Sequence, residues 1–176
     1  KKLPCVTPSG VMNAERQVFK ASGLVQLDFD LQANPDLEDP AKFIQLKKAT
    51  SDEQFISCVF KSASGGLKAF ARIPETTDPS VYRSSAIALF KHFEKRHKLL
   101  ADHVGSEITR LCFVSYDPEI FFRDHPKLWN ERNDEQEPQS EVEKATHKNI
   151  TIRHAEEALK VIDPDIGRDQ WIKVLM

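Results

Sequence analysis

The order in which two hydrophobic periods succeed each other along residues 23–117 limits the fold more than any other feature of the chain. "GLVQLDFDL" (23–31) alternates with a period of two. Val25, Leu27, Phe29 and Leu31 fall on one face and Gln26, Asp28 and Asp30 on the other, as in a strand with one buried side. "EDPAKFIQLKKATS" (38–51) switches to helical spacing, with Asp39 as the cap, Pro40 in the first turn, and Phe43, Ile44 and Leu46 as the apolar stripe. "QFISCVFKS" (54–62) is rich in β-branched and aromatic residues and predicts a second strand. "ASGG" (63–66) supplies a turn, because glycine tolerates positive φ, and "LKAFARI" (67–73) a third strand. "TTDPSVYRSSAIALFKHFEKRHKLLADH" (76–103) predicts a long helix started by Asp78 and Pro79, burying Val81, Ala86, Leu89, Phe90 and Phe93. "RLCFVSY" (110–116) predicts a fourth strand, ended by Asp117–Pro118. The order β-α-β-β-α-β is the split βαβ pattern of an α+β, ferredoxin-like or RRM-like palm. Strands one and three are then expected side by side at the centre, antiparallel. Both helices cover one sheet face, and the other is left open for a ligand or for more structure.

The 176 residues suffice for one such domain and the start of another. The palm is assigned to residues 1–125 and an acidic linker to 126–150. Within that linker "ERNDEQEPQSEVEK" (131–144) has six acids against two bases and no aromatic residue. Residues 151–176 predict a helix, a turn through Pro164–Gly167 and a second helix cut short at "WIKVLM", the beginning of a small helical module. The chain therefore reads as an excerpt of a longer polypeptide. Net charge is −2, so no global field favours nucleic acid or membrane, and any such contact needs a local patch. No apolar run approaches a membrane span and no secretory signal stands at the start. Cys5, Cys58 and Cys112 are widely spaced, with no C-x-x-C pair, which predicts reduced buried thiols in a cytoplasmic protein.

Asp28 and Asp30 are the residues that most need a reason. Carboxylates disfavour strands, and two on one face, about 6–7 Å apart along the strand, repel each other. A divalent ion with hard oxygen ligands, Mg²⁺ or Mn²⁺, relieves that repulsion and suits phosphoryl or nucleotidyl transfer. A solvated face or a cross-strand ion pair is the plainer explanation. Ser62, Ser64, Gly65 and Gly66 form a small hydroxyl-rich turn, either a plain hairpin or an anion nest. Lys68 and Arg72 share a face of strand three and, in the expected sheet, project toward the two acids. They are phosphate-binding bases or structural partners of Asp28. Asp102 is a candidate third carboxylate, and Arg110, opening strand four, a candidate phosphate contact. The run "KHFEKRHK" (91–98) suits either a solvated helix end or a nucleic-acid contact. His92, His97 and His103 show no zinc-site spacing.

Taken together, residues 8–122 resemble the archaeo-eukaryotic primase superfamily. Within it they are similar to the primase-polymerase-like N-terminal domain of virulence-associated E and related mobile-element replication proteins. "LVQLDFD" matches the superfamily's hydrophobic strand with Asp-x-Asp, and "SASGGLK" its small-residue turn. Asp102 behind Ala101 matches its third acidic motif, and "TRLCFVSYDP" resembles the signature of the virulence-associated E group. The resemblance implies a catalytic palm for DNA priming or polymerisation, with Asp28, Asp30 and Asp102 as catalytic metal ligands for Mg²⁺ or Mn²⁺. Ser64, Gly65, Gly66, Lys68, Arg72 and Arg110 would face the nucleotide. It also implies nucleoside triphosphates and single-stranded or primed DNA as partners, and a helicase domain further along the polypeptide. In one respect the sequence departs from the pattern: the superfamily has a histidine where this chain has Lys68, a fixed cation rather than a group that titrates near neutrality. That leaves a second expectation beside the enzyme, a degenerate palm that binds nucleotide or single-stranded DNA for an attached helicase.

Overall fold

The computed structural model describes residues 4–13 and 17–133, within the first of the chain's two units, Lys1–Asp134. The acidic segment beyond 133 and the helical module expected at 151–176 lie outside the described residues. The described chain is α+β, with eight strands and two α-helices. Strands β1 (Cys5–Val6), β2 (Gly10–Met12) and β3 (Val18–Ala21) precede β4 (Leu24–Phe29), α1 (Pro40–Asp52), β5 (Ile56–Lys61), β6 (Leu67–Arg72) and α2 (Pro79–His97). The short strands β7 (Cys112–Phe113) and β8 (Phe121–Phe122) follow.

The main sheet has the order β4-β6-β5-β8, antiparallel throughout. Strands one and three of the split βαβ pattern, β4 and β6, are neighbours as expected, with Asp28 opposite Lys68 and Leu24 opposite Arg72. One sheet face carries Val25, Leu27, Phe29, Ile56, Val59, Leu67, Ala69 and Ala71, which pack with Leu89, Phe90 and Phe93 of α2 in the main core. The period of two read in 23–31 therefore sets which side chains of β4 face α2, while the burial itself extends to both faces of the strand. Helix α1 starts as read: the Asp39 side chain accepts hydrogen bonds from the N–H groups of Ala41 (2.8 Å) and Lys42 (3.4 Å), with Pro40 in the first turn. Its inward stripe is narrower than expected. Phe43 and Leu46 reach the core, while Ile44 is 64% exposed.

Four departures from the sequence reading bear on function. First, α2 ends at His97, not near His103. Lys98 takes a left-handed conformation (φ 58°) and donates its N–H to the Glu94 carbonyl at 3.2 Å, and the chain turns back toward β4. Second, "RLCFVSY" does not enter the main sheet. Only Cys112–Phe113 is a strand, paired with Cys5–Val6 of the N-terminal segment. The free edge of β4, where a fourth strand was expected, instead receives the Asp102 N–H on the Asp28 carbonyl at 2.8 Å. Strand β4 is thus an edge strand blunted by a turn, not a central one.

Third, the second sheet face is largely covered. Cys58, Phe60 and Cys112 are buried together against Phe70. Both Gln26 and Asp28, on that face of β4, are buried as well. Burial pushes the Cys58 thiol up to about 11 and also raises Cys112, so both are inert thiols in the folded chain, while Cys5 is exposed. Fourth, the linker begins later than residue 126. The N–H groups of Lys127 and Trp129 bond the carbonyls of Gln54 (2.9 Å) and Arg72 (2.8 Å). Trp129 itself is buried against Phe55 at a ring separation of 4.8 Å. Among the described residues no helix is long and apolar enough to cross a membrane.

Candidate functional site

The Asp28-to-Asp102 region is assembled at the end of β4. The carboxylate of Asp28 forms a buried ion pair with the Lys68 ammonium directly across the ladder. Burial raises the Asp28 carboxyl above its ordinary value, further helped by the charges of Asp30 and Asp102, and this outweighs the opposing pull of Lys68. Lys68 engages one carboxylate oxygen. The other, Oδ1, is buried with no hydrogen-bond partner, and two residues away on the same face both amide atoms of Gln26 are buried and unpartnered too. Unsatisfied buried polar atoms are rare and costly, about 1–3 kcal/mol each.

Asp30 lies just past the end of β4, exposed. It lines a cleft of about 230 Å³ with Gln32, Ala33, Leu100, Ala101 and Asp102. Beside the Asp102 N–H on the Asp28 carbonyl, what brings Asp30 and Asp102 together is Asn34, a residue with no motif around it. Its buried side-chain amide donates to the carbonyls of Asp30 (2.9 Å) and Leu100 (3.0 Å), and its Oδ1 accepts the Leu100 N–H (2.7 Å). One amide therefore ties the end of β4 to the segment after α2. The only local hint was Asn34–Pro35, a turn signal. The Asp102 carboxylate caps the turn His103–Ser106 by accepting the Val104 N–H (3.0 Å) and also accepts from Arg110 Nη2 (3.2 Å). Arg110 thus reaches the site through Asp102.

The turn Ser62–Gly66 stands next to Asp30. Its N–H and C=O groups close on each other, Ser62 to Gly66 at 2.8 Å and Gly65 to Ser62 at 3.0 Å, and the hydroxyls of Ser62 and Ser64 meet at 3.0 Å. Gly65 has φ +94°. A Cβ on Gly66 would sit 2.5 Å from the Phe29 carbonyl oxygen and 3.4 Å from Asp30 Cα. Only glycine permits this approach of the hairpin to the end of β4. Arg72 does not join the group. It stands opposite Leu24 at the other end of the ladder, donating to the Ser22 carbonyl at 3.3 Å. At about 3.3 Å per residue the four-residue step from Lys68 places it some 13 Å along the strand. Of the sequence-predicted residues, Asp28 meets Lys68, Asp30 and Asp102 share the cleft, Arg110 holds Asp102, and Gly66 brings the turn with Ser64 and Gly65 to the end of β4, whereas Arg72 is apart from them.

Asp117, from the "SYDP" signature, serves as an anchor. Its Oδ2 accepts from Lys47 Nζ (2.7 Å) and the Lys61 N–H (2.7 Å), and its Oδ1 accepts the Glu119 N–H (2.9 Å). Burial opposes its ionisation, but these donors hold its carboxyl below the usual range. It pins the segment after β7 to α1 and to the end of β5.

A second cluster had no sequence signal. The Nε2 atoms of His92 and His97 lie 3.2 and 2.8 Å from Glu53 Oε1, and Arg96 Nε lies 2.8 Å from the same oxygen. Burial works against the Glu53 charge, yet the two imidazoles and the guanidinium hold its carboxyl below the ordinary value. Among the described residues, Glu53, His92 and His97 are the one group of three metal-capable side chains whose ligand atoms all lie within 4.8 Å of one another. The carboxylates of Asp28, Asp30 and Asp102 are not gathered that tightly. The basic run 91–98 is thereby in part a structural network around Glu53.

Comparisons with curated proteins and with solved structures each return no match. A protein-family model matches residues 1–122, which takes in β1 through β8, the Asp28–Lys68 pair, the cleft and the Asp117 anchor. The chain accordingly belongs to the family described as BT4734-like, N-terminal domain.

Proposed function

We propose that this domain is a divalent-metal-dependent nucleotidyl-transfer palm, a primase or polymerase of the archaeo-eukaryotic type in the replication of a phage, plasmid or other mobile element. The observation that carries the reading is the unpartnered, buried Oδ1 of Asp28, in a residue whose backbone carbonyl accepts the N–H of Asp102, itself on the cleft with Asp30. Three carboxylates with one uncompensated oxygen are a hard-oxygen donor set that fits Mg²⁺ or Mn²⁺. Asp28, Asp30 and Asp102 would hold the ion, which when bound polarises a phosphoryl oxygen and activates an attacking hydroxyl. Lys68 fixes the orientation of Asp28 through its other oxygen, and Arg110 holds Asp102. The Ser62–Gly66 turn offers hydroxyls and close backbone next to Asp30, where a triphosphate is expected. The substrates of this reading are nucleoside triphosphates and single-stranded or primed DNA, with a helicase domain in the same full-length polypeptide.

A second reading is favoured by the two ion pairs themselves. Lys68 on Asp28 and Arg110 on Asp102 neutralise two of the three acids, as in a palm that binds nucleotide or single-stranded DNA without catalysis. Thermal denaturation separates the two. Mn²⁺ with a dNTP at a hundredfold excess over Kd is expected to stabilise the chain by about 2.7 kcal/mol, roughly 5–10 °C in Tm. The Asp28→Asn, Asp30→Asn variant, measured against its own unliganded Tm, is expected to show no shift. A nucleotide shift that is indifferent to metal supports the binding module instead. No shift in the unaltered chain contradicts both.

A further inference from the structure

We propose that Glu53, His92 and His97 form a separate binding site for a transition-metal ion of the Zn²⁺ class. Tetrahedral Zn²⁺ with bonds of about 2.0–2.1 Å sets neighbouring ligand atoms about 3.3–3.4 Å apart. Here the two imidazole nitrogens stand 3.2 and 2.8 Å from Glu53 Oε1. Opening these two contacts by about half an ångström or less brings them to that spacing, in a group whose ligand atoms all lie within 4.8 Å of one another. The donors are already aimed. The His92 ring is wedged between Trp129 (4.9 Å between centroids), Phe55 (5.5 Å) and Phe93 (5.6 Å), and His97 leans on Phe93 at 5.3 Å. Glu53 is held at the end of α1 by its N–H bond to the Thr50 carbonyl (3.3 Å). Rigid support of this kind is what a metal site needs from its surroundings.

The donor set decides the ion. Two imidazoles and one carboxylate favour Zn²⁺, Co²⁺, Ni²⁺ or Cu²⁺, whereas Mg²⁺ and Ca²⁺ prefer all-oxygen sites. The cluster shares no residue with the Asp28 region and takes a different class of ion. Three protein ligands leave a fourth position for water. Arg96 is the built-in competitor: its guanidinium bonds the same Glu53 oxygen, but its side chain is 65% exposed and can move into solvent when an ion enters. A bound ion would clamp the end of α1 to the end of α2, beneath the Trp129 segment.

Calorimetric titration of the full chain with Zn²⁺, in the presence of excess Mg²⁺, tests the site. About one Zn²⁺ per chain is expected at this site, with affinity reduced at least tenfold by Glu53→Gln or His97→Gln and increased several-fold by Arg96→Gln. Co²⁺ should give the intense visible absorption of a tetrahedral complex in the unaltered chain and lose it in the first two variants. The Asp28→Asn, Asp30→Asn variant should retain Zn²⁺, so failure of the nucleotidyl-transfer reading leaves this result intact. Absence of Zn²⁺ binding, or equal binding by all variants, overturns the site. Should Glu53→Gln or His97→Gln unfold, Arg96→Gln still decides, because it keeps all three ligands: unchanged Zn²⁺ affinity there means the cluster is an ion-pair network only.

Discussion

Lys68→Ala is expected to destabilise the domain by about 3–5 kcal/mol, lowering Tm by roughly 10–15 °C. The magnitude follows from what is left behind. Asp28 is 6% exposed, its Oδ1 is already without a partner, and removal of the ammonium strips the other oxygen as well. An isolated buried carboxylate is far costlier than the pair, so breaking the pair costs more than deleting it whole. Lys68→Met combined with Asp28→Asn should therefore recover most of the loss. The effect carries a pH signature. Burial raises the Asp28 pKa in the folded chain, so its protonated form is the one that folding favours. That contribution is fully present below the ordinary carboxylate value and disappears as pH rises through the folded one. In Lys68→Ala the folded value rises further, and the penalty should shrink on acidification. Chemical denaturation of the three proteins at neutral and acidic pH checks this. A loss below about 1 kcal/mol, or one that grows as pH falls, would mean that Asp28 is not a buried charge held by Lys68.

Asn34→Ala is expected to cost about 2–4 kcal/mol, because the Leu100 carbonyl and N–H lose their side-chain partner and the Asp30 carbonyl keeps only the backbone N–H of residue 34 (3.0 Å). Its functional effect should exceed its structural one. The amide ties Asp30 to the segment leading into Asp102, leaving only the Asp102 N–H on the Asp28 carbonyl when it is removed, so the variant should weaken the metal-dependent nucleotide shift even under conditions where it is fully folded by circular dichroism. Retention of the full shift in folded Asn34→Ala would show that the juxtaposition of the two acids has no part in binding. Asn34 is a positioning residue here, and its role is read from ligand response rather than from stability alone.

The parts of the fold that local chemistry determines were legible. Strict alternation in 23–31 marked β4, and Asp39–Pro40 and Asp78–Pro79 marked the starts of both helices. The pairing of β4 with β6 followed from the order of elements, and it put Lys68 opposite Asp28. Of the two uses the element order leaves for the second sheet face, a ligand or more structure, the residues themselves point to the second. Phe60 and Phe70 project from that face, and a sheet surface bearing two phenylalanines needs a cover. The end of α2 lacked the usual glycine signal, since Lys98 takes the left-handed position. Strand β7 pairs with Cys5–Val6, more than a hundred residues away, through contacts that no window of sequence contains. The Glu53 cluster was hidden for a similar reason. His92 and His97 are five apart, not the three or four that share a helix face, and Glu53 lies on another element.

The most direct measurement is template-dependent incorporation of a labelled deoxynucleotide on primed single-stranded DNA with Mn²⁺, comparing the unaltered chain with the folded Asp28→Asn, Asp30→Asn variant. Incorporation by the first and background by the second is the result expected of a nucleotidyl-transfer palm. Equal, background-level incorporation by both, with the unaltered chain folded and saturated with nucleotide, would contradict it.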